Sequence, residues 1–196
     1  MDSVDDNMGV GIGSDNFGKD SRKRGFTGIV LVNPKYEPNV GSVMRTAQVF
    51  GTEFVCTIGP ERYKRHRTDT CKAELNVPIW NYQDWSQLWN SRPNCCDFIA
   101  VELSKESKPI ERFYHPPRGI YVFGPEDGSV PPNIFKNCRY KIKLPGSISL
   151  NLSNAVAITL FDRQKELAKN VQSNDALPSD FREGSKEASG PYRLVY

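Results

Sequence analysis

Three short stretches of this chain hold more uncommitted polar chemistry than their surroundings need. In "NPKYEPNVGSVMRTAQVFG", residues 33–51, Asn39 and Arg45 stand six residues apart with Gly41 between them. An arginine in such a place can clamp a phosphate bidentately. The glycine leaves the first helical turn uncovered, so another backbone or a phosphate could approach it. In "FGPEDGSVPP", residues 123–132, Glu126 and Asp127 crowd two carboxylates into one turn. Carboxylates beside carbonyl oxygens suit a cationic ligand. In "LPGSISLNLSNAVAI", residues 144–158, Ser147, Ser149, Asn151, Ser153 and Asn154 gather where an apolar helix begins. A helix cap needs one such residue, and five are present. With Pro145 and Gly146 before them and Leu144 and Leu150 alongside, the stretch suits a flat heteroaromatic ring. Backbone groups would hold the ring and aliphatic side chains would sandwich it.

A fourth stretch, "RYKRHR", sets Arg62, Lys64, Arg65, His66 and Arg67 around Tyr63. That composition suits phosphate contacts and base stacking. Other chemistries lack their signatures. No GxGxxG follows an expected strand and no GxxxxGK[ST] occurs, which argues against a standard dinucleotide site or a P-loop. Neither His66 nor His115 lies near a nucleophile turn. The five cysteines form no CxxC pair and have no zinc spacing to either histidine. They read as reduced, mostly buried thiols of an intracellular protein that needs no metal, with Cys95 and Cys96 packed at a strand edge.

Around these stretches the chain must supply a scaffold. Its 196 residues suggest one domain with tails. An apolar content of 38% is low for a globular domain, as expected when polar tails dilute a normal core. A net charge of +3 says little, so local clusters carry any nucleic-acid argument. No apolar run approaches the ~18 residues that cross a bilayer. The acidic start, "MDSVDDNMGVGIGSD", is neither a signal nor a transit peptide, and we expect a cytoplasmic protein without membrane contact. Residues 1–25 read as a disordered arm ending in "SRKRG", residues 26–169 as the domain, and residues 170–196 as a polar tail whose Leu194–Tyr196 could dock back.

Within the domain, short apolar runs alternate with helical periods. Strands are predicted at 28–33, 53–58, 97–103, 119–124 and 138–144. Val40, Val43, Met44, Ala47 and Phe50 mark one face of a helix. Asn39 is expected to cap it, Gly51 to end it, and Arg45 to sit off its apolar stripe. A short helical piece follows the basic stretch, and "DWSQLWN" gives another helix. The last helix, 151–168, is apolar nearly all round at first, through Leu152, Val156, Ile158, Leu160 and Phe161, and is expected to be buried there. Such alternation means an α/β fold with a mostly parallel sheet, helices on both faces, and ligands beyond the carboxyl ends of the strands. The three unusual loops fall at such ends.

In this order the three stretches resemble the SpoU/TrmH family of the SPOUT superfamily, S-adenosylmethionine-dependent RNA 2′-O-methyltransferases. The resemblance spans Thr27 to Ala168. It differs in one place: the stretch from Pro145 to Ser149 is shorter than in many relatives. It implies a C-terminal deep trefoil knot, against the general rule for folds. It also implies a homodimer with S-adenosyl-L-methionine bound near the subunit interface and released as S-adenosyl-L-homocysteine. Carried over by position, Asn39, Arg45, Ser149 and Asn151 are the catalytic candidates. Leu103, Gly124, Glu126, Ile142, Leu144, Ser149, Leu150, Asn151 and Ser153 fall where relatives hold the cofactor. Arg62, Lys64, Arg65 and Arg67 would grip RNA. No separate RNA-binding domain accompanies the core, which favours an unstacked loop nucleotide of tRNA over a large rRNA site. Methylation of rRNA and a non-catalytic RNA-binding relative are the alternatives. A generic nucleotide-binding α/β protein would instead prefer a phosphorylated nucleotide.

Overall fold

The computed structural model describes residues 25–60 and 76–173, with side chains described to 168. The basic stretch 62–67, the helical piece expected after it, and the arm and tail expected at the two ends lie outside the described residues.

Seven strands form one sheet: β1 (Phe26–Val32), β2 (Phe54–Ile58), β3 (Ile79–Tyr82), β4 (Asp97–Val101), β5 (Lys108–Pro109), β6 (Arg118–Phe123) and β7 (Tyr140–Lys143). Their order across the sheet is β3-β2-β1-β6-β4-β7-β5, and every pairing is parallel. In register, Val30 faces Cys56 on one side and Val122 on the other, and Ala100 lies between Val122 and Lys141. Parallel strands are buried on both faces, so they read as unbroken apolar runs. β1 divides its side chains accordingly. Ile29 and Leu31 join one core cluster, and Val30 and Val32 join a second.

Helices cover both faces, as the alternation predicts. α1 (Glu37–Phe50) and α4 (Leu152–Ser173) pack together over the first cluster. α2 (Trp85–Ser91) and α3 (Pro132–Asn137) cover the second through Trp85, Leu88 and Ile134. α1 buries Val40, Val43, Met44 and Ala47, as its period requires. It stops at Gly51, whose left-handed φ of 66° a side chain would disfavour. α2 starts at Asp84, whose carboxylate accepts from the Gln87 N–H at 3.0 Å. β3, β5 and α3 are absent from the sequence reading: none of them carries a run or period of buried apolar residues.

Three local expectations fail. Asn39 does not cap α1. The cap position is Tyr36, which makes no side-chain cap bond, and Asn39 stands inside the first turn. Gly41 is buried, so it offers no uncovered turn to a phosphate. The last helix is also not apolar-buried all round. Leu152, Val156 and Leu160 are buried, but Ile158 is 40% and Phe161 60% exposed. The single buried stripe follows because α4 packs on one side only. Of the cysteines, Cys56 and Cys138 are buried, Cys96 is half-buried and Cys95 is exposed.

One polar group lies deep in the layer between sheet and α4. His115 is 2% exposed. Its Nε2 lies 3.2 Å from Asp162 Oδ2 and its Nδ1 2.6 Å from the Tyr121 hydroxyl. Its backbone N–H donates to Glu166. Arg163 donates to the Pro117 carbonyl at 3.0 Å. These bonds fasten the far end of α4 to the start of β6.

Candidate active site

Because β1, β6, β4 and β7 run parallel, the loops that follow them meet at one edge of the sheet. Between them lies an open, solvent-facing cleft. Val101, Glu102 and Leu103 enter from β4, and Gly124 and Glu126 from the loop after β6. Leu144, Ser149 and Leu150 enter from the loop after β7.

A chain of side-chain hydrogen bonds ties three of these loops together. Asn151 Oδ1 accepts from the backbone N–H of Ser153 at 2.9 Å and from its hydroxyl at 2.7 Å. That fixes which end of the amide is oxygen, so Asn151 Nδ2 donates to Asn39 Oδ1 at 3.1 Å. Asn39 Nδ2 then donates to Glu126 Oε1 at 2.7 Å. Glu126 also accepts from the backbone N–H of Lys35 at 2.9 Å and of Tyr36 at 3.4 Å. Burial by itself pushes the Glu126 carboxyl up, but these donors outweigh it and hold it below the ordinary carboxylate value. The group is therefore a fixed negative charge in the cleft. Asp127, the other half of the acidic pair, is taken by an ion pair with Lys35 Nζ, which closes the turn.

Glu102 adds a tie that the sequence reading missed. One carboxylate oxygen accepts from the Leu103 N–H at 3.1 Å and the other from the Val130 N–H at 2.8 Å. A charged residue closing the apolar run "DFIAV" was the available signal.

Gly124 has its own reason. A Cβ there would stand 2.7 Å from the Val130 nitrogen and 2.8 Å from the Ser129 carbonyl carbon. Both are backbone atoms that cannot swing aside. We expect Gly124→Ala to displace the 125–130 loop, to destabilise the protein by about 1–3 kcal/mol and to weaken cofactor binding roughly tenfold or more. Thermal unfolding and titration calorimetry would check this, and an unchanged affinity would assign the glycine no role in shaping the cleft.

The site residues predicted from sequence therefore fall into groups. Leu103, Gly124, Glu126, Leu144, Ser149 and Leu150 line the cleft. Asn39, Asn151 and Ser153 do not line it but are joined to it through the hydrogen-bond chain. Ile142 is fully buried in the core behind it. Arg45 stands on the exposed side of α1 and is not among the lining residues. Arg62, Lys64, Arg65 and Arg67 lie outside the described residues. Among the described residues no cluster of His, Cys, Asp or Glu could hold a metal ion, and no helix is long and apolar enough to cross a membrane.

This core, with its three tied loops, matches the SpoU rRNA Methylase family over residues 27–161. The chain belongs to that family. A tRNA (cytidine(34)-2′-O)-methyltransferase of Polaromonas is 27% identical over 148 residues, covering 70% of this chain and 89% of that one. Among solved structures, the A. aeolicus TrmH/SpoU tRNA modifying enzyme superposes with a TM-score of 0.68 at 22% identity, covering 87% and 95% of the two chains. An AdoMet-bound rRNA methyltransferase from Sinorhizobium meliloti gives 0.66 at 20% identity, covering 75% and 60%. These SpoU likenesses agree with the sheet and helix arrangement described above.

Proposed function

We propose that this SpoU-family protein transfers the methyl group of S-adenosylmethionine to a ribose 2′-hydroxyl of tRNA. The observation that carries the reading is the Asn151–Asn39–Glu126 chain, which knits all three motif loops around one cleft. The related tRNA 2′-O-methyltransferase supports tRNA as the substrate class.

The cleft fits the cofactor. Its walls at Leu103, Leu144 and Leu150 suit a flat adenine, and the ionised Glu126 suits a molecule carrying a sulfonium. When bound, S-adenosylmethionine supplies an electrophilic methyl carbon and leaves as S-adenosylhomocysteine. The chain's own residues orient and polarise. Gly124 and Ser149 present backbone to the ligand. Ile142 backs the cleft. Ser153 holds Asn151, and Asn151 holds Asn39. Asn39 spends both ends of its amide inside the protein, so it acts by fixing Glu126. Ser149 is left to orient the ribose hydroxyl. A guanidinium is no general base, so Arg45 has a different role. It grips an RNA phosphate bidentately beside the hydroxyl, and the phosphate or a water takes the proton.

The geometry also supports a homodimer. On α1, Val49 is 60% exposed, and on α4 Phe161 is 60% and Ile158 40% exposed. Pairing two copies across these helices would cover these side chains, and in such a dimer Arg45, which does not line its own cleft, would serve the cleft of the other subunit. The trefoil knot implied by the resemblance requires a late strand beside early ones, and β7 lies between the earlier strands β4 and β5. The cytoplasm, with its supply of tRNA, is the expected compartment. Placing charges at Ile158→Glu and Phe161→Glu together is expected to convert the dimer to a monomer by light scattering and to remove methyl transfer. A stable, active wild-type monomer would defeat the shared-site picture.

The direct test is methyl transfer from labelled S-adenosylmethionine to separate pools of unmodified tRNA and rRNA, followed by nucleoside digestion. A labelled 2′-O-methylnucleoside from tRNA is expected. Label only in rRNA would move the substrate class. Label in neither, with cofactor binding intact, would favour a binding protein.

A further inference from the structure

Most large exposed apolar side chains near the cleft already have an assignment. Leu103, Ile148 and Leu150 line it. Val49, Ile158 and Phe161 belong to the α1–α4 side. Tyr36 has none. Its side chain is 61% exposed, and among the described residues neither its ring nor its hydroxyl has a hydrogen-bond or ring partner.

Its backbone, by contrast, is held firmly. The Tyr36 N–H donates to Glu126, and its carbonyl accepts from the Asn39 N–H at 2.9 Å. Its neighbour Lys35 is fixed twice, through its N–H to Glu126 and through Nζ to Asp127. The preceding Pro34 and following Pro38 restrict the loop further. The result is an aromatic side chain with a fixed point of attachment, projecting into solvent from the residue whose N–H touches the cleft's own carboxylate. An ordinary surface tyrosine gains nothing from such anchoring. A binding platform does, because the backbone share of the ordering cost is met before the ligand arrives.

We propose that Tyr36 is a stacking platform for the base of the nucleotide whose ribose is methylated. This rests on the reading of the cleft as an RNA 2′-O-methylation site. The unstacked loop nucleotide expected as the target presents its 2′-hydroxyl with its base splayed out of the stack. Its base then loses both neighbours and needs a π-face to replace them. The Tyr36 backbone meets Glu126, so its side chain is an aromatic surface adjoining the carboxylate beside which the ribose would sit. Stacking tolerates any base, so Tyr36 supplies affinity and orientation rather than base choice.

The test compares wild type with Tyr36→Ala and Tyr36→Phe, using whichever RNA pool the wild type methylates. Tyr36→Ala is expected to lower kcat/KM for RNA roughly 10- to 100-fold, chiefly through KM. Tyr36→Phe, which keeps the ring, should stay within about threefold of wild type. Affinity for S-adenosylmethionine by calorimetry, and the oligomeric state by light scattering, should not change in either. Unchanged kcat/KM in Tyr36→Ala overturns the proposal. So does equal damage in Tyr36→Phe, which would make the hydroxyl the working group, or a changed oligomeric state, which would place the ring against a second copy. A wild-type protein that methylates neither pool overturns the underlying reading, and the proposal with it.

Discussion

Arg45→Ala is expected to reduce methyl transfer at least about 100-fold while leaving S-adenosylmethionine affinity nearly unchanged. The magnitude is that of removing one preorganised charged donor from a transition state, about 3 kcal/mol. Cofactor binding should survive because Arg45 does not line the cleft of its own chain. Arg45→Lys should recover only part of the loss, since an ammonium cannot reproduce the fork that meets two phosphate oxygens. The side of the subunit boundary on which Arg45 acts can also be read. An equimolar mixture of Arg45→Ala and Glu126→Ala chains, each inactive alone, should regain about a quarter of wild-type activity if Arg45 serves the partner's cleft. Half the dimers would then be mixed, each with one complete site. No recovery, with subunit exchange demonstrated, would return Arg45 to its own chain. Parallel loss of cofactor affinity would make it structural.

The second large effect is on stability and comes from His115. Burial pushes its pKa down, and the neighbouring Asp162 carboxylate only partly opposes this, leaving it at about 4 against an ordinary 6.5. The folded protein therefore holds His115 neutral, its Nε2–H donating to Asp162 and its Nδ1 accepting from the Tyr121 hydroxyl. The unfolded chain takes up the proton near pH 6.5. Below that pH the unfolded state binds more protons, so stability is complete above about 6.5 and is lost as the pH falls toward 4. The gap corresponds to about 2–3 kcal/mol by pH 4.5. Urea midpoints at pH 7 and pH 4.5 would measure the loss. His115→Gln should be less stable at pH 7, where it disturbs a satisfied buried network by about 1–3 kcal/mol. Its unfolding free energy should also fall by about 2–3 kcal/mol less between the two pH values. An equal fall in both proteins would assign the acid sensitivity to carboxylates elsewhere.

The sequence determined the parallel α/β core and the location of the site by simple rules. Unbroken apolar runs such as "GIVLV" and "DFIAV" mark strands buried on both faces, and the five predicted strands all appear in the sheet. A 3.6-residue period found the buried face of α1. Strand direction alone then sends the loops after β1, β6 and β7 to one edge. Excess polar residues at that edge marked where a ligand would sit. Local pattern could not decide partnership. Asn39 has the type and position of a cap, yet its amide bridges Asn151 and Glu126 across 112 and 87 residues of chain. Asp127 looks like half of a ligand site until Lys35 is seen to occupy it. Ile158 and Phe161 carry the hydrophobicity of core residues, but α4 turns them outward because the α1–sheet surface has room for one stripe only. His115, with no motif around it, becomes a stability determinant because folding brings Tyr121, Asp162 and Glu166 to it. Side-chain type and period are local properties of a chain. Which polar groups meet, and which apolar face is left uncovered, depends on contacts between residues far apart in sequence, and only the tertiary structure fixes those.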